Sequence, residues 1–316
     1  MDMKRDYSLD IYRAFLMLGI CLLHSITQAG HNTTWAANML EWCVPGFVFI
    51  SGWFGIKFSI GKALKLYGIS FYCAVMYIAF DTVATGAGID GNCIIRAWCI
   101  AKGQWFLNAY VIVMCLAPIV NLAIERMTIR DICPMLLCTF GWSFATTLPV
   151  VSKYVPNSAG LSAYSFLTLL GVYVVARFVR RLYDANDRFR EYATNMKLVL
   201  SILVIALPLV AIGLGDYNSP FALILAGCVF MLFKESRLPS SLGTLCSWIG
   251  PSMFSVYLLH SHGQAWGYLK KVMDSLLAQG MPLGVAYLTT ALLVFCLCVV
   301  ADSPRRVFAI VFNKKR

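Results

Sequence analysis

The chain is an alternation of long apolar runs and short charged connectors, and that pattern restricts the fold before any motif is considered. Runs of roughly 17 to 22 residues cover 9–29, 36–56, 64–85, 105–125, 132–151, 162–178, 197–214, 218–234, 246–266 and 283–301. An apolar stretch of about 20 residues is long enough to cross a bilayer as a helix. Inside lipid only helices and closed barrels satisfy their own backbone, so runs of this length predict helices. The balance of 59% hydrophobic against 13% charged residues, with mean hydropathy +0.72, excludes an ordinary soluble domain. The expected fold is therefore all-α: a polytopic membrane helix bundle of about ten helices. No linker, composition shift or repeat divides it, so residues 1–316 are expected to form a single domain. The start, MDMKR followed by an apolar stretch and small residues at Ala29 and Gly30, resembles a signal peptide. Nine further runs follow it, and an uncleaved first helix is the expectation.

Charge assigns the orientation. Of the 26 lysines and arginines, Arg13 lies within a run, twenty fall on the side of the N-terminus and five (Arg96, Lys102, Lys153, Lys270, Lys271) on the other. Cytoplasmic loops carry the excess of basic residues, so both termini are expected in the cytoplasm and the protein in the inner membrane. The net charge of +11 then reflects topology. Spread over every inner loop, it offers no concentrated surface for nucleic acid. The longest charged segment, RFVRRLYDANDRFREY from Arg177 to Tyr192, reads as a solvated cytoplasmic loop.

Arg13 and His24 both fall in the first run. An ionisable side chain at membrane depth is costly and marks a functional site by default. Eleven positions at about 100° each make three turns and roughly 20°, so both lie on one helix face, about 16 Å apart along the axis. The predicted orientation puts Arg13 toward the inside and His24 in the outer half. Glu41, early in an inward-running span, and His260 and His262, late in an outward-running one, share that outer depth. Asp10 stands three residues before Arg13, at ion-pairing distance on a helix. The twelve cysteines lie mostly in apolar runs without CxxC or Cys/His spacing. They read as small buried hydrophobes, and neither a disulfide framework nor a metal site is expected. Trp35 and Trp105 suit the outer aromatic belt. Ser51 and Gly52 suit close helix packing.

A series of motifs carries a resemblance. LDIYRAFLMLGICLLH from Leu9, FVFISGW from Phe47, QWFLNAYVIVMCLAPIVN from Gln104, FLTLLGVYVVAR from Phe166, SVYLLHSH from Ser255 and ADSPRRVF from Ala301 resemble, in order, landmarks of the acyltransferase 3 family. These are integral-membrane enzymes that move acyl groups from a cytoplasmic donor onto sugars and other acceptors. The resemblance implies a membrane O-acyltransferase with acyl-CoA, acetyl-CoA first, as co-substrate and no tightly bound cofactor. Its other expected partners are a saccharide or lipid-linked glycan of the envelope or capsule and the membrane lipids. The family carries arginines after the Ser-Gly motif where this chain has Lys62 and Lys65, and often Glu where it has Asp302.

A sugar hydroxyl attacks a thioester readily only when a base removes its proton, and histidine is suited to that at neutral pH. His24 is the expected general base, an acyl-histidine intermediate being the alternative. Arg13 is expected to bind the donor's anionic or carbonyl oxygens, with Lys62 and Lys65 as further donor contacts and Asp10, Glu41, His260 and Asp302 in support. The contrasting expectation is an exporter of saccharides or small acids, which would also place charges at several depths. No pair of Gly/Pro-broken helices in two related halves is apparent to favour it.

The topology is open to test in intact cells with single introduced cysteines. A cysteine at position 187 should resist an impermeant thiol reagent applied outside, and one within residues 86–103 should react. External labelling at 187 would reverse the orientation.

Overall fold

The computed structural model describes residues 7–28, 34–86, 91–141, 165–211, 220–236, 239–261 and 263–313. Every regular element among them is a helix. Among the described residues five stretches are long and apolar enough to cross a membrane: Tyr7–Gln28, Ile60–Thr85, Trp105–Arg126, Ser240–His260 and Leu283–Phe308. They fall on the first, third, fourth, ninth and tenth expected runs. The described parts of the other runs are also largely helical, in shorter or more polar pieces. The expected spans 132–151, 162–178, 197–214 and 218–234 each extend into residues outside the described ones. So do Lys4, Arg5, Ala29, Gly30, Lys153, Arg237, His262 and the tail from Lys314 to Arg316.

The chain groups into two compact units, each assembled from distant segments. The first comprises Met1–Thr34, Leu64–Gln104 and Leu238–Arg316. Its centre is α1 (Tyr7–Gln28), whose buried Leu9, Tyr12, Leu16, Ile20 and Leu23 recur every three or four residues. That spacing forms one apolar stripe. Against α1 pack α12 (Ser240–Ile249), α13 (Met253–His260), α14 (Gly263–Ala278) and α15 (Leu283–Ala301). A 3-10 turn at Gly250–Ser252, with Pro251 inside it, separates α12 from α13. Proline removes a backbone donor there and kinks the span. The same unit holds α4 (Ile60–Thr85, from Leu64 on) and α5 (Cys93–Lys102), joined through Ala74, Ala97 and Ala101. The Ser70 hydroxyl donates to the Ala101 carbonyl at 3.1 Å, and Tyr72 donates to Ala301 O at 3.0 Å. Helix α16 (Ser303–Asn313) follows α15 directly.

The second unit comprises Trp35–Ala63 and Trp105–Arg237. It contains the short α2 (Thr34–Asn38, from Trp35 on), α3 (Cys43–Phe54), α6 (Trp105–Arg126), α7 (Ile129–Leu136), α8 (Phe166–Ala185), α9 (Asp187–Asn195), α10 (Lys197–Ala211) and α11 (Pro220–Glu235). The segment expected to be a solvated loop is instead the last turns of α8 followed by α9. Side chains of Asn186 and Ser165 cap the two helices by accepting from Phe189 N and Thr168 N. Helix α3 ends on Gly55, whose φ of +73° is a left-handed conformation that glycine adopts without steric cost. Just beyond it, the Tyr173 hydroxyl donates to Asn121 Oδ1 and accepts from Ile56 N, both at 2.8 Å. Asn121 Nδ2 donates to Ile56 O at 3.2 Å, so α3, α6 and α8 meet at one fully partnered polar knot.

Within that unit Ser51 and Gly52 have the packing role their sequence suggests. The Ser51 hydroxyl bonds Tyr110 Oη at 2.9 Å. A Cβ on Gly52 would lie 2.5 Å from Tyr173 O and 2.7 Å from Ala176 Cβ. Backbone cannot yield as a flexible side chain does, so α3 and α8 would have to separate. Gly52→Ala should therefore lower stability by about 1–3 kcal/mol, as overpacking does. Thermal unfolding of the purified protein measures this, and an unchanged midpoint would remove the packing argument.

Candidate active site

His24, His260 and Trp266 converge within the first unit. His24 lies one turn before the end of α1. His260 ends α13 and is 2% exposed, so its ring is held among packed helices. The two imidazole centroids are 4.9 Å apart with planes inclined at 46°. Helix α14 returns along α1 and brings the Trp266 ring to 6.1 Å from His24, edge toward face. Tyr257 stands edge-on to His260 at 6.4 Å.

The hydrogen bonding decides what this cluster can do. His260 Nδ1 donates to the Val256 carbonyl at 2.5 Å. A carbonyl only accepts, so in the neutral ring the proton sits on Nδ1 and Nε2 carries a lone pair. That Nε2 is buried without a hydrogen-bond partner among the described residues, and so are His24 Nδ1 and Trp266 Nε1. Each such atom costs about 1–3 kcal/mol in lost solvation. Three from three helices in one place is the pattern of a site awaiting a polar ligand. Nearby, the Ser261 hydroxyl donates to Gln104 Oε1 at 3.2 Å and fixes the chain where α13 ends.

At the opposite end of α1 the charges are partly paired. Asp10 and Arg13 form the expected i,i+3 pair at 2.9 Å, with Asp10 buried and the Arg13 side chain 35% exposed. Only Nη1 of the Arg13 fork makes that bond. Asp302 is fully buried and grips Arg305 through two parallel bonds of 2.7 Å. Arg305 also donates to the Pro251 carbonyl at 3.2 Å. Arg306 donates to Ser252 Oγ at 3.2 Å and to Trp248 O at 2.5 Å, and stacks 4.2 Å over the Trp248 ring. These contacts fasten the start of α16 to the kink between α12 and α13.

Of the residues singled out from sequence, His24 meets His260, and Asp10 meets Arg13. Asp302 is committed to Arg305. Glu41, half-buried in the turn before α3, belongs to the second unit. Lys62 and Lys65 are exposed on the first turns of α4, and the Lys62 ammonium donates to Lys57 O at 3.0 Å. Trp266 is the residue that sequence reasoning missed. Its only signal is that it follows the two histidines after a glycine at 263, which lets a new helix begin.

Apolar helices long enough to cross a membrane, packed around a buried pair of histidines, mark a multi-pass membrane protein with a buried polar site. The chain matches the acyltransferase domain of the acyltransferase 3 family over residues 6–302 and belongs to that family. No curated protein and no solved structure matches it. Membership implies an enzyme of acyl transfer.

The two kinds of polar group should respond differently to substitution. Trp266→Phe removes an N–H that has no partner among the described residues, so the thermal midpoint should stay near the parent value. Asp302→Asn strands the Arg305 guanidinium and should cost about 3 kcal/mol or more. Thermal unfolding in one detergent separates the cases, and a strongly destabilised Trp266→Phe protein would show that the indole N–H is structural.

Proposed function

We propose that this protein takes an acyl group, acetyl first, from cytoplasmic acyl-CoA and transfers it to a hydroxyl of an envelope or capsular saccharide. The observation that carries the reading is the trio of unpartnered atoms at His24, His260 and Trp266. As a base His24 offers a lone pair, His260 offers another, and Trp266 offers an N–H. Their complement is two hydroxyl donors and one carbonyl oxygen. A saccharide beside a thioester supplies both.

In the proposed step His24 removes the hydroxyl proton as the oxygen attacks the thioester carbonyl. The new C–O bond forms, the C–S bond breaks, and the thiolate leaves as coenzyme A after taking a proton. The Trp266 N–H is suited to the charge that develops on the carbonyl oxygen. His260, fixed by the Val256 carbonyl, receives a neighbouring hydroxyl of the acceptor. Arg13, with part of its fork open, holds the donor about 16 Å away along α1, a span for an extended pantetheine arm. In the orientation favoured by the charge bias, with about ten spans and both termini cytoplasmic, Arg13 faces the donor side and His24 the acceptor side.

Purified protein in nanodiscs should release free coenzyme A from acetyl-CoA only when a suitable glycan is present. His24→Ala should lower kcat by roughly 10²-fold or more while keeping donor affinity. Arg13→Ala should chiefly weaken donor binding, and Arg13→Lys should restore only part of it. Near-parent turnover in folded His24→Ala protein would remove His24 from the mechanism. Cells lacking the protein that keep fully acylated glycans but accumulate unexported precursor would favour the exporter instead.

A further inference from the structure

The second unit contains a cleft of about 310 Å³ between the end of α6 and the last turns of α8, lined by Ile124, Glu125, Arg177, Arg180, Arg181 and Asp184 among others. Its three arginines recur at i, i+3 and i+4 along α8 and therefore share one face. Two are anchored. Arg180 pairs with Asp184 at 2.6 Å and lies 5.0 Å from the Trp53 ring centroid. Arg181 donates from Nη1 to the carbonyls of Ile124 and Met127, the second at 2.6 Å, so it caps α6 and leaves the rest of its fork open.

Arg177 is different. It is half-buried, yet among the described residues it has no hydrogen bond and no ion pair. The guanidinium lies against Gly55, where a Cβ would come within 3.2 Å of Cζ and Nη1. A glycine that the turn already requires thus leaves the space in which this charge sits. Asp184 is occupied by Arg180, and Glu125 is exposed. The surplus is two guanidinium forks, one wholly free, facing a cavity large enough for a small anion.

We propose that this cleft binds a phosphate group through Arg177 and Arg181. A guanidinium presents parallel N–H donors that match phosphate oxygens, and partial burial strengthens each bond. The phosphate can belong to coenzyme A, in which case the cleft serves the donor of the reaction proposed above and rests on that reading. It can equally belong to the headgroup of an anionic lipid.

The test uses full-length protein in phosphatidylcholine nanodiscs, titrated with coenzyme A and with 3′-dephospho-coenzyme A, and a second set of nanodiscs containing phosphatidylglycerol. Arg177→Gln removes no hydrogen bond or ion pair among the described residues and is expected to fold, which its thermal midpoint in phosphatidylcholine verifies. If coenzyme A is the source, parent protein should bind it about tenfold more tightly than the dephospho form, and Arg177→Gln should abolish that difference. Arg177→Lys should restore only part of it. If a lipid is the source, phosphatidylglycerol should raise the thermal midpoint of the parent protein and not that of Arg177→Gln. A folded Arg177→Gln protein equal to the parent in both comparisons overturns the site. Parent protein that binds neither coenzyme at all overturns the donor reading alone, and the lipid comparison then decides the cleft.

Discussion

A polar atom placed among apolar helices must find a partner or carry the full cost of its lost solvation, and this molecule depends on how that demand is met. Most of its internal polar groups meet it locally. Tyr173, Asn121 and Ile56 close a knot around the end of α3. Asp302 and Arg305 close another around the kink between α12 and α13. Those groups are structural because nothing in them remains to be satisfied. Trp53 Nε1 and Ser255 Oγ are open among the described residues, but His24, His260 and Trp266 are open together and in ring contact. An unmet demand concentrated in one place is a binding specification.

The specification is directional because His260 is fixed by its own helix. With Nδ1 donating to Val256, the neutral ring can only accept at Nε2. The break at Gly250–Ser252 and the stop after His260 set that ring against His24 of α1, and α14 then lays the indole alongside. Acyl transfer, the chemistry of the family to which the chain belongs, is served by an arrangement that accepts a hydroxyl proton and donates to a carbonyl. Local backbone geometry, tertiary packing and the proposed mechanism thus join at a single turn of helix.

Much of this was legible in the sequence, for physical reasons that can be named. Arg13, His24 and His260 stood out because ionisable groups in apolar runs are rare and costly. The Asp10–Arg13 pair followed from helical spacing alone. Trp266 was not legible, since a tryptophan near the end of an apolar run also suits the membrane interface. Only the break after His260, which ends the helix several residues before the expected boundary at 266, turns it inward. The fastening of Asp302 by Arg305 depended on a helix restart at Ser303 that hydropathy does not register. Arg177 was hidden for the opposite reason. In a run of basic residues the positive-inside bias explains every charge equally well, and only packing shows that one of them lacks a partner among the described residues.

The central claim is that His24 and His260 act as one site. A double-mutant cycle on acyl transfer tests it most directly: turnover is compared for the parent, His24→Ala, His260→Ala and the double variant, each verified as folded. Residues that work as a unit are strongly non-additive. The account predicts that the double variant is hardly slower than His24→Ala alone. Losses that multiply, or a His260→Ala protein with parent turnover, would contradict it.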